Sequence, residues 1–194
     1  MASEFGLVYR GRSAARRRLG AKWYQVLHPR VHLGVGCELR SGSNMLVAKG
    51  ASVVFGAGCV VDNGMTVECR GKIEVGARTV FGHHGTLAAA EFISIGEDCL
   101  IAEMVSIRDH DHSFTNISVP YNQQGQAIAP VRIGSNVWLG CKVTVIRGVS
   151  IGNNTVVGAN AVVTHDLPSD CVAVGIPARI VRYLDPDKRW EDSR

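Results

Sequence analysis

The amino-acid sequence predicts an all-β solenoid: short strands wound into a triangular coil, with one long loop leaving it. Three observations carry this reading. An apolar residue returns every six positions over most of the chain. Glycine is abundant at 22 of 194 residues while aromatic residues make up 6%, which suits many tight corners and a narrow core. The six-residue pattern is broken at length only once, so the loop has a definite place.

Six nine-residue stretches align: VHLGVGCEL from Val31, VVFGAGCVV from Val53, IEVGARTVF from Ile73, ISIGEDCLI from Ile93, VRIGSNVWL from Val131 and VSIGNNTVV from Val149. Each reads apolar–x–apolar–Gly–x–x–small–x–apolar, and the starts are almost evenly spaced except for one double-length step from Ile93 to Val131. One register runs Leu33, Leu39; Phe55, Val61, Val67; Val75, Phe81, Leu87; Ile95, Ile101, Ile107; then, after a gap, Ile133, Leu139, Val145, Ile151, Val157 and Val163. All 17 positions are apolar and nine are followed by glycine, against an apolar share of 46% for the whole chain. A period of six does not fit a 3.6-residue helix, whereas a short strand plus a tight corner meets it. Three such units close one triangular turn with the recurrent side chain inward. Successive coils then stack at strand spacing, about 4.8 Å, each pairing its backbone with the coils above and below.

Two positions before the recurrent residue stands a small or β-branched one, such as Cys59, Thr79, Cys99, Val137, Thr155 or Ala161. Cys37, Cys59 and Cys99 share this position, so they read as small core residues rather than disulfide partners, in keeping with a reducing compartment. No CxxC spacing suggests zinc.

The ends differ from the coil. Residues 1–30 hold Arg10, Arg12, Arg16, Arg17, Arg18, Lys22 and Arg30 against Glu4 alone, and form a basic segment suited to solubility, to an oligomer contact or to attracting an acidic substrate. The remaining residues carry 14 basic and 16 acidic groups, which argues against nucleic-acid binding. No apolar run is long enough for a membrane span and no apolar secretory core opens the chain, so a cytoplasmic location is the expectation. The expected organisation is a basic segment over 1–30, a solenoid over 31–181 with an insertion at 108–130, and a tail over 182–194.

The insertion lies inside IRDHDHSFTNISVPYNQQGQAIAPV, Ile107 to Val131, and brings that coil to nearly twice the length of its neighbours. Long loops on rigid scaffolds are where chemistry is usually placed. Asp109, His110, Asp111 and His112 stand at its root, at a corner of the coil. A histidine flanked by carboxylates has the parts of a general base: one ring nitrogen takes a proton while an acceptor on the other fixes the tautomer. The same cluster could instead only fix the exit of the loop.

SIRDHDHSF, PVRIGSNVWLG, GANAVVTHDLP and GIPARIVR together resemble the hexapeptide-repeat acyltransferases. Within them the resemblance is to the sugar O-acetyltransferase branch, which includes galactoside, maltose, capsule and lipopolysaccharide O-acetyltransferases. It spans about residues 31–181 and implies a left-handed parallel β-helix; the hand comes from the resemblance alone, since the usual crossover preference is right-handed. It further implies acetyl-CoA as co-substrate, a saccharide hydroxyl as acceptor, no metal, and direct transfer with His110 as base and His112 as the second candidate. The loop is a few residues longer than in galactoside acetyltransferase.

On the donor side the resemblance places Trp138 beside the acetyl-thioester, the backbones of Cys141 and Ala159 along the pantetheine arm, His165 where lysine is common near the phosphates, and Arg179 and Arg182 near the nucleotide. His83 and His84, in FGHHGT, fall on an acceptor-contacting stretch whose sequence differs here, which implies a different acceptor. The resemblance also implies a homotrimer with sites between subunits. The competing readings are N-acetylation of a nucleotide-linked amino sugar, a γ-class carbonic anhydrase using the histidines for a metal, a serine acetyltransferase, and a non-catalytic assembly subunit.

Overall fold

The computed structural model describes Tyr24 and residues 26–184; most of the basic segment and the last ten residues lie outside the described residues. The chain winds through about seven turns whose strands form three parallel sheets, the faces of a triangular prism. The first face stacks Val31–Leu33, Ser52–Phe55, Lys72–Val75, Phe92–Ile95, Val131–Ile133 and Ser150–Ile151. The second stacks Glu38–Leu39, Val60–Val61, Val80–Phe81, Leu100–Ile101, Trp138–Leu139, Val156–Val157 and Cys171–Val174. The third stacks Asn44–Val47, Thr66–Cys69, Thr86–Ala89, Ser106–Arg108, Thr144–Val145 and Val162–Val163.

The period of six sets this stacking, because equivalent repeat positions are register partners: Leu33, Phe55, Val75, Ile95, Ile133 and Ile151 lie one above another. Fifteen of the 17 recurrent positions are buried, and only Leu33 and Leu39 of the first coil are half-buried. Burial of a side chain of this size stabilises by roughly 1.5–3 kcal/mol, so the inward column is the main cohesive element of the fold. Phe55 and Phe81 meet edge to face inside it, ring centres 6.0 Å apart.

The small inward residues do more than fit. At the corner between the first and second faces, Cys37 donates to the Gly56 carbonyl at 3.0 Å, Cys59 to Gly76 at 3.1 Å, Thr79 to Gly96 at 2.9 Å and Cys99 to Gly134 at 3.2 Å. Each spends its one polar hydrogen on a carbonyl of the next coil that would otherwise be unpaired in the core. All six cysteines are free thiols.

Those corners turn through a left-handed residue, and glycine is dispensed with where side chains hold one another. Arg78 has φ 59° and Asp98 φ 58°, and the Arg78 guanidinium bonds the Asp98 carboxylate at 2.6 Å. Asn136, Asn154 and Asp170 continue the same edge with side-chain bonds of 2.9 and 2.8 Å. At the C-terminal end, Arg179–Tyr183 turns back antiparallel on Cys171–Val174 and closes the second face. Among the described residues no helix is long and apolar enough to cross a membrane.

Candidate active site

The insertion leaves the prism at the corner between the third and first faces. Its base is a hairpin: His110–His112 pairs antiparallel with Gln126–Ile128, matching His110 to Ile128 and His112 to Gln126. The repeat pattern puts all four root residues at the corner, off the inner face; Asp109 is instead fully buried. Its carboxylate accepts the backbone N–H groups of Ala90 at 2.7 Å, Glu91 at 2.7 Å and Phe92 at 2.8 Å. These three donors belong to the corner one coil earlier, where the chain runs longer than the minimal repeat and its amides lack strand partners.

The same Asp109 Oδ1 lies 2.9 Å from Nδ1 of His110. The anion therefore fixes the ring, and with Nδ1–H donating to it the lone pair of Nε2 is left to accept a proton. The His110 side chain is 11% exposed, enough for a small group to reach it. Its neighbours diverge. Asp111 points away to an ion pair with Nε of Arg147, 3.0 Å, and His112 is exposed. Arg70, from two coils back, donates to Gln126 Oε1 at 2.5 Å on the returning strand. Arg147 and Arg70 thus strap the hairpin from either side; nothing in their sequence surroundings singles them out.

The remaining candidates sit elsewhere on the prism. Trp138 is 49% exposed on the outer side of the second face, between Leu100 and Val156 in register. Arg182 lies on this face as well, paired to Val172 in the closing strand, with Arg179 near its start. Cys141 and Ala159 occupy the corner between the second and third faces. His83 and His84 share that corner, linked by a ladder in which Met104 N–H donates to His83, Lys142 to Glu103 and Asn160 to Cys141. His165 lies at the same edge as His110, two coils further on, with Nδ1 2.8 Å from the Thr164 hydroxyl. One chain therefore unites His110 with Asp109, and Trp138 with Arg182 and the Cys141–Ala159 corner, but leaves the two groups on different sides.

The corner ladder holds a group that the sequence pattern does not mark. Glu103 stacks against Cys141, and its carboxyl is held below the usual range by its own backbone N–H and by the Cys141 thiol, with His83 and Lys142 adding to the effect. In return Glu103 pushes the Cys141 thiol up, which keeps it protonated and a poor nucleophile.

Comparison with known proteins gives this arrangement its context. Residues 130–165 match the family described as bacterial transferase hexapeptide (six repeats). WbbJ of Escherichia coli K12, named as a lipopolysaccharide biosynthesis O-acetyl transferase, is 35% identical over 150 residues, covering 72% of this chain and 76% of that one. The chain belongs to the hexapeptide-repeat transferase family. Rv3034c of Mycobacterium tuberculosis, named as an acetyltransferase, is 33% identical over 164 residues, covering 84% of this chain and 52% of its own length. The chain thus spans about half of that relative. Among solved structures, the N-acyltransferase AntD of Bacillus cereus, in complex with dTDP and 3-hydroxybutyryl-CoA, superposes with a TM-score of 0.71 over 85% of this chain and 89% of its own. Its identity is 16%, so this likeness establishes the hexapeptide-repeat fold alone.

Proposed function

We propose that this chain is an acetyl-CoA-dependent O-acetyltransferase acting on a saccharide hydroxyl. The observation that carries this reading is the His110–Asp109 pair: an imidazole at the root of an insertion, oriented by a buried anion, with Nε2 available. In the reaction the acceptor O–H gives its proton to Nε2 as its oxygen attacks the thioester carbonyl. The C–S bond then breaks, and the departing thiolate takes the proton from His110. General-base assistance of this kind contributes about 10² to 10⁴ in rate, the rest coming from alignment of the two substrates.

Donor and acceptor meet between chains in this reading. Trp138 receives the acetyl end of the donor, the backbones of Cys141 and Ala159 receive the pantetheine arm, and Arg179 and Arg182 receive phosphate, a task suited to guanidinium groups. His165 joins from the edge that bears His110, and His83 and His84 border the acceptor. Because His110 and Trp138 face different ways in one chain, the reading includes a homotrimer. A row of outward apolar residues on the second face supports it: Val60, Val80, Leu100, Trp138, Val156 and Val172 follow one another in register where the other faces turn mainly polar groups outward. The need for acetyl-CoA from the cell's pool supports a cytoplasmic location.

The test is thiol release from acetyl-CoA with galactosides, maltose, acidic oligosaccharides and nucleotide-linked amino sugars, for the wild type and His110→Ala. Turnover of a saccharide without an amine that disappears in His110→Ala is the expected result. Turnover of the amino sugars alone would replace O- by N-acetylation, and undiminished turnover in His110→Ala would remove the base.

A further inference from the structure

The outer side of the third face, beside His110, carries a row of polar groups with nothing to bind. Thr66, Thr86, Ser106 and Thr144 are register partners in four successive coils, and alternation along each strand turns them outward because Val67, Leu87, Ile107 and Val145 fill the core. None makes a side-chain hydrogen bond among the described residues. Next along from Ser106 on the same outward side is Arg108, exposed, immediately before Asp109 and His110.

Most of the charges around this corner are engaged, the exposed carboxylates of Glu91 and Glu68 excepted. Asp109 is saturated by its backbone donors and His110, and Asp111 is taken by Arg147. Arg70 holds Gln126, Lys72 pairs with Glu74, and Arg132 lies over the Phe92 ring at 5.6 Å. Glu91 is exposed at the corner one coil back. Glu68 shares Arg108's column two coils away, about 10 Å at strand spacing, and no ion pair joins the two. Among the described residues Arg108 is left as a guanidinium without a carboxylate partner, in line with the unengaged hydroxyls and two residues from the base.

We infer that Arg108 and the Thr86–Ser106–Thr144 row form an acceptor subsite for an anionic saccharide, with Arg108 on its carboxylate or phosphate and the hydroxyls on the sugar ring. This rests on the function proposed above and names its substrate class. A planar guanidinium binds either anion in two-point fashion, and hydroxyls both donate to and accept from sugar hydroxyls.

The experiment measures acetyl-CoA-dependent thiol release with three matched probes: methyl β-galactoside, methyl β-galacturonide and methyl β-galactoside 6-phosphate. In the wild type kcat/KM for one of the anionic probes exceeds that for the neutral one by about tenfold or more, as a charge-assisted hydrogen bond provides, and the ratio falls as salt is raised. Which anionic probe leads tells carboxylate from phosphate. Arg108→Gln brings the ratio down towards one, while Arg108→Lys retains part of it. An equal preference for the neutral probe in the wild type would overturn the inference, as would an Arg108→Gln effect confined to the KM of acetyl-CoA, which would put the guanidinium on the donor. Absence of thiol release with every saccharide would instead overturn the proposed function itself.

Discussion

Asp109 Oδ1 accepts the N–H of Ala90 at 2.7 Å and lies 2.9 Å from Nδ1 of His110, so one oxygen ties the corner of the preceding coil to the candidate base. Fold and chemistry share this carboxylate, and Asp109→Asn is therefore not a conservative change. The amide offers one acceptor where two are needed, and turns N–H groups against either Ala90 and His110 or Glu91 and Phe92. Each buried group left without a partner costs about 1–3 kcal/mol. A clear fall in the melting temperature is expected together with lost turnover, read by thermal unfolding and thiol release on the same preparation.

His110→Ala separates the two roles. It leaves Asp109 with its three backbone donors, so the melting temperature should hold within a few degrees while kcat drops by about 10² to 10⁴. His112, exposed and without a carboxylate to orient it among the described residues, should cost less than tenfold when changed to Ala. A larger loss from His112→Ala than from His110→Ala would exchange their assignments.

What was legible in the sequence follows from what repeats. The inward column, the three-sided coil and the place of the insertion are all consequences of a period of six, and Leu33 to Val163 could be assigned from spacing alone. The root cluster was visible as a break in that period. The choice of Asp109 over Asp111 as the orienting carboxylate was not, because it depends on the amides of Ala90, Glu91 and Phe92, a full coil earlier. Arg147, Arg70 and Glu103 escaped notice for the same reason: each meets its partner only through the stacking of coils, and no local pattern announces a contact made between distant stretches of chain. The hairpin of His110–His112 and Gln126–Ile128 escaped because its strands are short and largely polar.

Thr79 tests the corner ladder. Its hydroxyl donates to the Gly96 carbonyl and accepts the Cys99 N–H at 3.1 Å, both inside the core. Thr79→Val preserves shape and leaves both partners unsatisfied, so a loss of about 1–3 kcal/mol is expected. Thr79→Cys, which restores the residue type found at positions 59 and 99, should recover part of it. Chemical denaturation midpoints at unchanged slope would check both.

The separation of His110 from Trp138 in one chain makes the sharpest prediction about assembly. If each site draws its base from one subunit and its donor-binding tryptophan from the next, His110→Ala and Trp138→Ala disable different halves of every site. Each variant alone should be poor, the first in kcat and the second in its KM for acetyl-CoA. Co-assembled in equal amounts, they should recover about a quarter of wild-type activity at low acetyl-CoA, because that share of interfaces pairs an intact His110 with an intact Trp138. Leu100→Asp, which places a charge beside Trp138 in the apolar row, should weaken assembly and turnover together, and light scattering should report the mass falling from three chains towards the 20.8 kDa of one. Mixtures no better than the average of the two parents, or a wild type that scatters as a single chain, would mean that one protomer completes the site by itself.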